Sequence, residues 1–147
     1  MPTIERILCP VDFSETSEHA LRYAIDLATR LDASVLIVHA YQLPAYALPD
    51  GGILARPEFA VDLTTQIQEF LDKLVERYSA HGVVLRDRLV EGMPYVEINR
   101  VAAEEKVDLV VMGTHGRTGV KHLLLGSVAE RVVRTSSVPV LTVRHPA

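Results

Sequence analysis

The stretch "MGTHGRTGVKHLLLGS", Met112 to Ser127, carries four of the chain's eight glycines and begins where the apolar run "VDLVVM" (107–112) ends. Glycine loses more backbone freedom on folding than any other residue. A cluster of it at a strand end is expected where the chain needs positive φ or where something must approach the main chain closely. The apolar run reads as a strand, and residues 127 to about 135 read as a short helix. The glycines therefore fill a strand-to-helix turn, and a ligand is one candidate for what approaches it.

The same order recurs on the N-terminal side. "RILCPV" (6–11) is a short apolar run that stops at the polar cluster "DFSETS". Leu21, Ala24, Ile25, Ala28 and Leu31 then repeat with helical spacing. Ser14 is the expected N-cap, with Glu15 and Glu18 in the first turn, where acidic groups complement the helix dipole. "SVLIVHAY" (34–41) is apolar without alternation, the mark of a strand buried on both faces. A segment with Pro44, Pro49, Gly51, Gly52 and Pro57 follows and is expected to be irregular and variable. Leu63, Ile67, Phe70, Leu71, Leu74 and Tyr78 predict a long amphipathic helix ending near Gly82. "VVLRDRLVEG" alternates as an edge strand does, Pro94 opens a helix carrying Ile98, Val101 and Ala102, and "VPVLTV" closes the pattern as the last strand.

Strands alternating with helices, without a break in composition, predict a single α/β domain over residues 1–147. Its expected core is a Rossmann-like five-stranded parallel sheet in the order 3-2-1-4-5, with right-handed crossovers and helices on both faces. A chain of 147 residues can bury roughly two thirds of its unfolded surface without staples. Hydrophobic residues at 48% and charged residues at 23% argue against disorder, and a formal charge of −4 gives no general attraction to nucleic acid or acidic membranes. Cys9, alone in an apolar run, excludes a disulfide framework and a thiolate metal site. No signal peptide or membrane span is recognised, so a cytoplasmic protein is expected. The six histidines are scattered, and no pair has the i, i+4 spacing of a helical zinc site.

In open parallel sheets ligands bind beyond the carboxyl ends of the strands, where the strand order reverses. With the order 3-2-1-4-5, "CPVDFS" and "MGTHGRTG" meet there. The glycines let successive backbone N–H groups converge on an anion, and Ser127 opens a helix whose N-terminus carries partial positive charge. Arg117 and Lys121 add cationic side chains, and His115 lies inside the loop. Asp12 is a candidate magnesium ligand, because a carboxylate beside phosphates needs an intervening cation; the alternative is helix capping, for which Asp12-x-x-Glu15 has the right spacing. The loop is not a P-loop, since no lysine follows Gly126, and no G-x-G-x-x-G can be drawn through Gly113 and Gly116. The pattern that fits is G-x2-G-x9-G-[ST], on Gly113, Gly116, Gly126 and Ser127.

With that motif the chain resembles the universal stress proteins of the ATP-binding type. The likeness runs from "RILCPVDFSETSEHAL" through "VDLVVMGTHGRTG" to "LLLGSVAERVVRTSSVPVLTV". The resemblance implies an adenine nucleotide, ATP with Mg²⁺, across the strand ends, its phosphates on Gly113, Gly116, Gly126 and Ser127. By position, Pro10, Val11 and Asp12 line the site, the backbone of Ala40 lies near adenine, and Met112 and Val128 flank the phosphate loop. No dedicated catalytic base stands out, so binding with at most slow ATP hydrolysis or autophosphorylation is expected, with the segment from Gln42 to Ala60 as a surface for a protein partner. The last strand, with Val140, Leu141 and Val143 guarded only by Arg144, is an apolar edge expected to form a homodimer, as the resemblance also implies. Two other readings are a nucleotide-free dimeric interaction protein and a phospho-accepting receiver. A receiver needs an aspartate ending its third strand and a lysine after its fifth, whereas these end in "LVEG" and "TVRHP".

Overall fold

The computed structural model describes residues 2–43, 46–54, 57–116 and 125–146. The chain runs β1 (Arg6–Pro10), α1 (Glu15–Leu31), β2 (Ser34–Tyr41), β3 (Tyr46–Ala47), β4 (Ile53–Leu54), α2 (Pro57–Tyr78), β5 (Leu85–Glu91), α3 (Pro94–Glu104), β6 (Leu109–Gly113), α4 (Ser127–Thr135) and β7 (Val140–Val143). The main sheet has the order β5-β2-β1-β6-β7 with every pair parallel, which is the 3-2-1-4-5 order counted over its own five strands. β2 is the longest strand of the sheet, and Val35, Leu36, Ile37 and Val38 are all buried because helices cover both of its faces.

Two apolar layers sandwich the sheet. One joins Ile7, Cys9, Val35, Ile37 and Val111 to α1 and to the Leu71–Leu74–Tyr78 stripe of α2. The other joins Leu8, Leu36, Val38, Val110 and Met112 to α3 and α4. The alternation of Ile7 with Leu8, and of Val110 with Val111, follows from the two-residue period of a strand. Cys9 is fully buried, and the loss of solvation pushes its thiol far above the usual range, so it behaves as a small hydrophobe.

Local chemistry sets the helix ends. Ser14 caps α1, its side chain accepting from the Ser17 N–H at 3.2 Å. Asp32 ends the helix in the left-handed region at φ 56°, donating its N–H to Ala28. Gly82, at φ 76°, terminates the short 3-10 turn Ser79–His81 that extends α2. The helices α1 and α2 are tied by Glu18, which accepts from Arg77 at 2.6 Å and from the Tyr78 hydroxyl at 2.8 Å. Partial burial alone would raise the Glu18 pKa, but these two hydrogen bonds outweigh it and hold the carboxyl below its usual range.

Three expectations need correction. The segment from Gln42 to Ala60 is not wholly irregular. β3 and β4 pair antiparallel, Tyr46 with Leu54 and Ala47 with Ile53, around a turn in which Gly51 takes φ 85°. The turn closes because the Leu48 N–H donates to Gly52 at 2.7 Å and the Gly51 N–H to Leu48 at 3.0 Å. Residues 44–45 and 55–56 lie outside the described set, and Pro57 opens α2. Leu31 and Phe70, read as core positions, are 41% and 57% exposed. Leu31 is the last residue of its helix, and Phe70 sits at the margin of the stripe, its ring 5.7 Å from that of Phe13. Pro139 stands just ahead of β7 and not within it, its carbonyl accepting from Val110 at 3.0 Å.

Ser14→Ala removes the cap of α1 and is expected to destabilise the protein by about 1 kcal/mol. For a chain of this size, thermal denaturation should register that as a fall of roughly 2–4 °C. An unchanged midpoint would show that the helix end holds without the hydroxyl.

Candidate functional site

β1 and β6 are neighbours at the centre of the sheet, and the chain leaves them toward opposite faces. α1 packs in the layer with Ile7 and Cys9, and α4 in the layer with Leu8 and Val110. The two turns therefore part, and a crevice of about 400 Å³ opens between them at the carboxyl ends of the strands. From β1 and its turn come Pro10, Val11 and Asp12, and from β2 comes Ala40. From β6 and the loop after it come Met112, Gly113, His115 and Gly116, and from α4 and its cap come Gly126, Ser127 and Val128. Arg117 and Lys121 fall outside the described residues.

The crevice also takes walls that the sequence reading left out. Val38, Pro94, Ile98 and Ala129 line it, so its inner part is apolar. A period-2 step back from Ala40 could have found Val38, and the Pro94 helix start with Ile98 one turn on points the same way. Ser17 is the other lining residue missed. Its hydroxyl accepts from the Asp12 N–H at 3.2 Å and donates to the Ser14 carbonyl at 3.1 Å, which fixes the turn.

Asp12 does not cap α1; Ser14 does. One carboxylate oxygen of Asp12 accepts from the Ser14 N–H at 3.0 Å and from the Ser14 hydroxyl at 2.5 Å. The other faces Gly116, where a Cβ would come within 2.6 Å of it. The turn is strained, since Phe13 takes φ 64°, a conformation costing a non-glycine residue about 1–3 kcal/mol. The Phe13 ring packs 4.7 Å from that of His39, and the His39 Nδ1 lies 2.7 Å from the Val11 carbonyl. Those contacts hold the corner that aims Asp12 at the crevice.

The glycines are needed for close approach and not for positive φ. None of Gly113, Gly116 and Gly126 lies in the left-handed region. A Cβ on Gly113 would come 2.8 Å from the Thr16 methyl and 3.1 Å from its carbonyl, so β6 ends against the backbone of α1. Gly126 is the residue before α4, at φ −70°, and donates its N–H to the Thr114 carbonyl at 2.6 Å. A side chain there would press on the main chain of Thr114 and His115 at 3.2–3.3 Å. With the cap so placed, the N–H groups of Ser127, Val128 and Ala129 in the first turn of α4 have no intrahelical acceptor and stand at the crevice with the helix's partial positive charge. His115 adds an imidazole whose Nδ1 lies 3.0 Å from the Thr114 hydroxyl.

The comparisons with known proteins fit this geometry. The universal stress protein family profile matches residues 3–144. The chain belongs to the universal stress protein family. It is 37% identical over 143 residues to universal stress protein MJ0531 of Methanocaldococcus jannaschii, covering 97% of this chain and 83% of that one. The solved structure of MJ0577 from the same organism superposes with a TM-score of 0.83 at 30% identity, covering 99% of both chains. A universal stress protein crystallised in complex with cAMP superposes with a TM-score of 0.74 at 27% identity, covering 99% of this chain and 100% of that one. Among the described residues no helix is long and apolar enough to cross a membrane.

Gly113→Ala should separate stability from the loop. Its Cβ meets backbone, so overpacking is expected to cost about 1–3 kcal/mol. Among the described residues the Cβ of Gly116→Ala meets the Asp12 carboxylate and no backbone, so its loss of stability should be the smaller of the two. Equal losses in thermal denaturation would show that the loop yields at Gly113.

Proposed function

We propose that the crevice binds an adenine nucleotide, ATP with Mg²⁺, and that the protein acts as a nucleotide-dependent regulatory module of a stress response. The observation that carries this reading is the first turn of α4, whose N–H groups stand at a crevice with an apolar inner wall and one carboxylate. Anions suit a helix N-terminus, and an apolar slot of this size suits a base. The resemblance of the motif on Gly113, Gly116, Gly126 and Ser127 to the ATP-binding type, and the cAMP complex of a relative, support the same reading. Val38, Ala40, Pro94 and Ile98 are the walls for the base, and the α4 N-terminus holds the phosphates. Asp12 fits a magnesium role, since its carboxylate is anchored by Ser14 and stands at the crevice beside Gly116. Asp12 would hold the ion, which would supply charge neutralisation beside the phosphates. Asp12 and His115 are the acid–base side chains lining the crevice among the described residues. Neither is poised as a dedicated base, so turnover is at most slow.

Titration calorimetry on nucleotide-free protein should give a Kd for ATP between submicromolar and tens of micromolar, roughly 6 to 9 kcal/mol, and tighter with Mg²⁺. Asp12→Ala should weaken binding in Mg²⁺ and leave it little changed in EDTA, whereas an equal loss in both would assign Asp12 to the turn alone. Gly126→Val should lose at least about tenfold in affinity while keeping its helix content, because displacing the main chain of Thr114 and His115 misaligns the anion site. No heat with millimolar ATP and Mg²⁺ would overturn the reading.

The proposal extends to assembly through β7, which pairs on one side with β6 and lies at the sheet edge. The carbonyls of Pro139 and Val143 face β6, accepting from Val110 and Thr114. By the strand period, the N–H and C=O of Val140 and Thr142 face outward, a ready template for a second copy. Thr142→Pro deletes an outward donor and leaves the β6 ladder intact. Sedimentation should find the parent dimeric and the variant monomeric; a monomeric parent would refute assembly through this edge.

A further inference from the structure

The fold brings two histidines from opposite ends of the chain together: His19 on α1 and His145 beyond β7, with ring centroids 5.5 Å apart and planes inclined at 64°. Two imidazoles on one tetrahedral zinc ion, with Zn–N bonds of about 2.0–2.1 Å, hold their centroids roughly 5.2 Å apart. The observed spacing is close to that geometry. One of the ring nitrogens is engaged by the main chain. His145 Nδ1 lies 2.7 Å from the Pro146 carbonyl, an acceptor only. Nδ1 therefore carries the proton and donates, and Nε2 keeps its lone pair. A backbone carbonyl on the far nitrogen is the usual support of a metal-binding imidazole. The His19 ring is half-buried, and among the described residues neither of its nitrogens has a hydrogen-bond partner in the protein. Glu15, one turn earlier on α1, adds negative charge on the same side of the helix, while Arg144 beside His145 opposes it.

We infer that His19 and His145 form a binding site for one divalent transition-metal ion, zinc being the probe. No group of three histidine, cysteine, aspartate or glutamate ligands occurs among the described residues, so water completes the coordination shell. Imidazole selects zinc over magnesium, which makes this site chemically separate from Asp12. Because the ligands come from α1 and from the tail behind β7, the ion clamps the tail to the helix.

The test is calorimetric titration of zinc chloride into tag-free, chelator-treated protein in excess magnesium, with no nucleotide present. One zinc per chain is expected. His19→Gln and His145→Gln should each weaken binding by about tenfold or more, the scale on which even supporting residues of a metal site act. His81→Gln, at a ring whose Nδ1 lies 3.1 Å from the Tyr78 carbonyl, should not. The imidazole resonances of His19 and His145 should shift together as zinc is added. Absence of binding, survival of binding in the double variant, or a loss in only one of the two single variants would each overturn the proposal. Should His19→Gln fail to fold, His145→Gln, on the exposed tail, decides the question alone.

Discussion

The structure depends on one constraint: β1 and β6 lie side by side, and the chain must leave them toward opposite faces of the sheet. Parallel crossovers are right-handed in about 98% of cases. Placing α1 on one face and α4 on the other therefore forces the two turns apart at their shared end. The crevice is the space left over. Its walls are the last residues of strands that are buried for reasons of packing, which is why Val38 and Met112 serve both the core and the site.

That geometry also explains why strain and tight contacts gather at the crevice. β6 can end only against the backbone of α1, and no side chain fits between Gly113 and Thr16. The β1 turn must reverse quickly enough to start α1 at Glu15, and it does so by placing Phe13 at φ 64°. The cost of that conformation is offset by packing of the Phe13 ring on His39 and Phe70. The result is a rigid corner, with Ser17 bonded to Asp12 and Ser14, in which the Asp12 carboxylate has little freedom to move. Preorganised polar groups of this kind lose little entropy when a ligand arrives.

Much of this was legible in the sequence because the signals are local. Unbroken apolar runs marked the buried strands, Ser14 and Pro94 marked helix starts, and the strand–helix alternation marked a parallel sheet with helices on both faces. The glycine loop pointed to the crevice, but for partly the wrong physical reason. Close approach of backbone to backbone, and not positive φ, is what Gly113 and Gly126 serve. What stayed hidden depends on turn geometry and packing that no residue pattern marks. The role of Ser17 arises from hydrogen bonds to two residues of its own turn, the strained Phe13 carries no sequence mark, and the β3–β4 pairing is two residues long in each strand, too short for periodicity to reveal. Phe70 misled because helical spacing marks a stripe but not how wide the covering layer is.

The division of labour within the crevice follows from the same distinction. Its polar donors are largely main chain, from the first turn of α4, and its apolar walls come from side chains already needed for packing. A site built this way asks little of the sequence beyond small residues at the contacts and a helix that starts in the right place. Among the described residues Asp12 is the exception, a charged side chain with no part in the core, and its carboxylate is secured by Ser14 and abuts Gly116. Substitutions at Asp12 therefore alter the charge of the crevice without disturbing the sheet. Substitutions at Gly113 disturb the sheet first and the crevice only as a consequence, so chemistry and stability separate cleanly between two residues that face the same space.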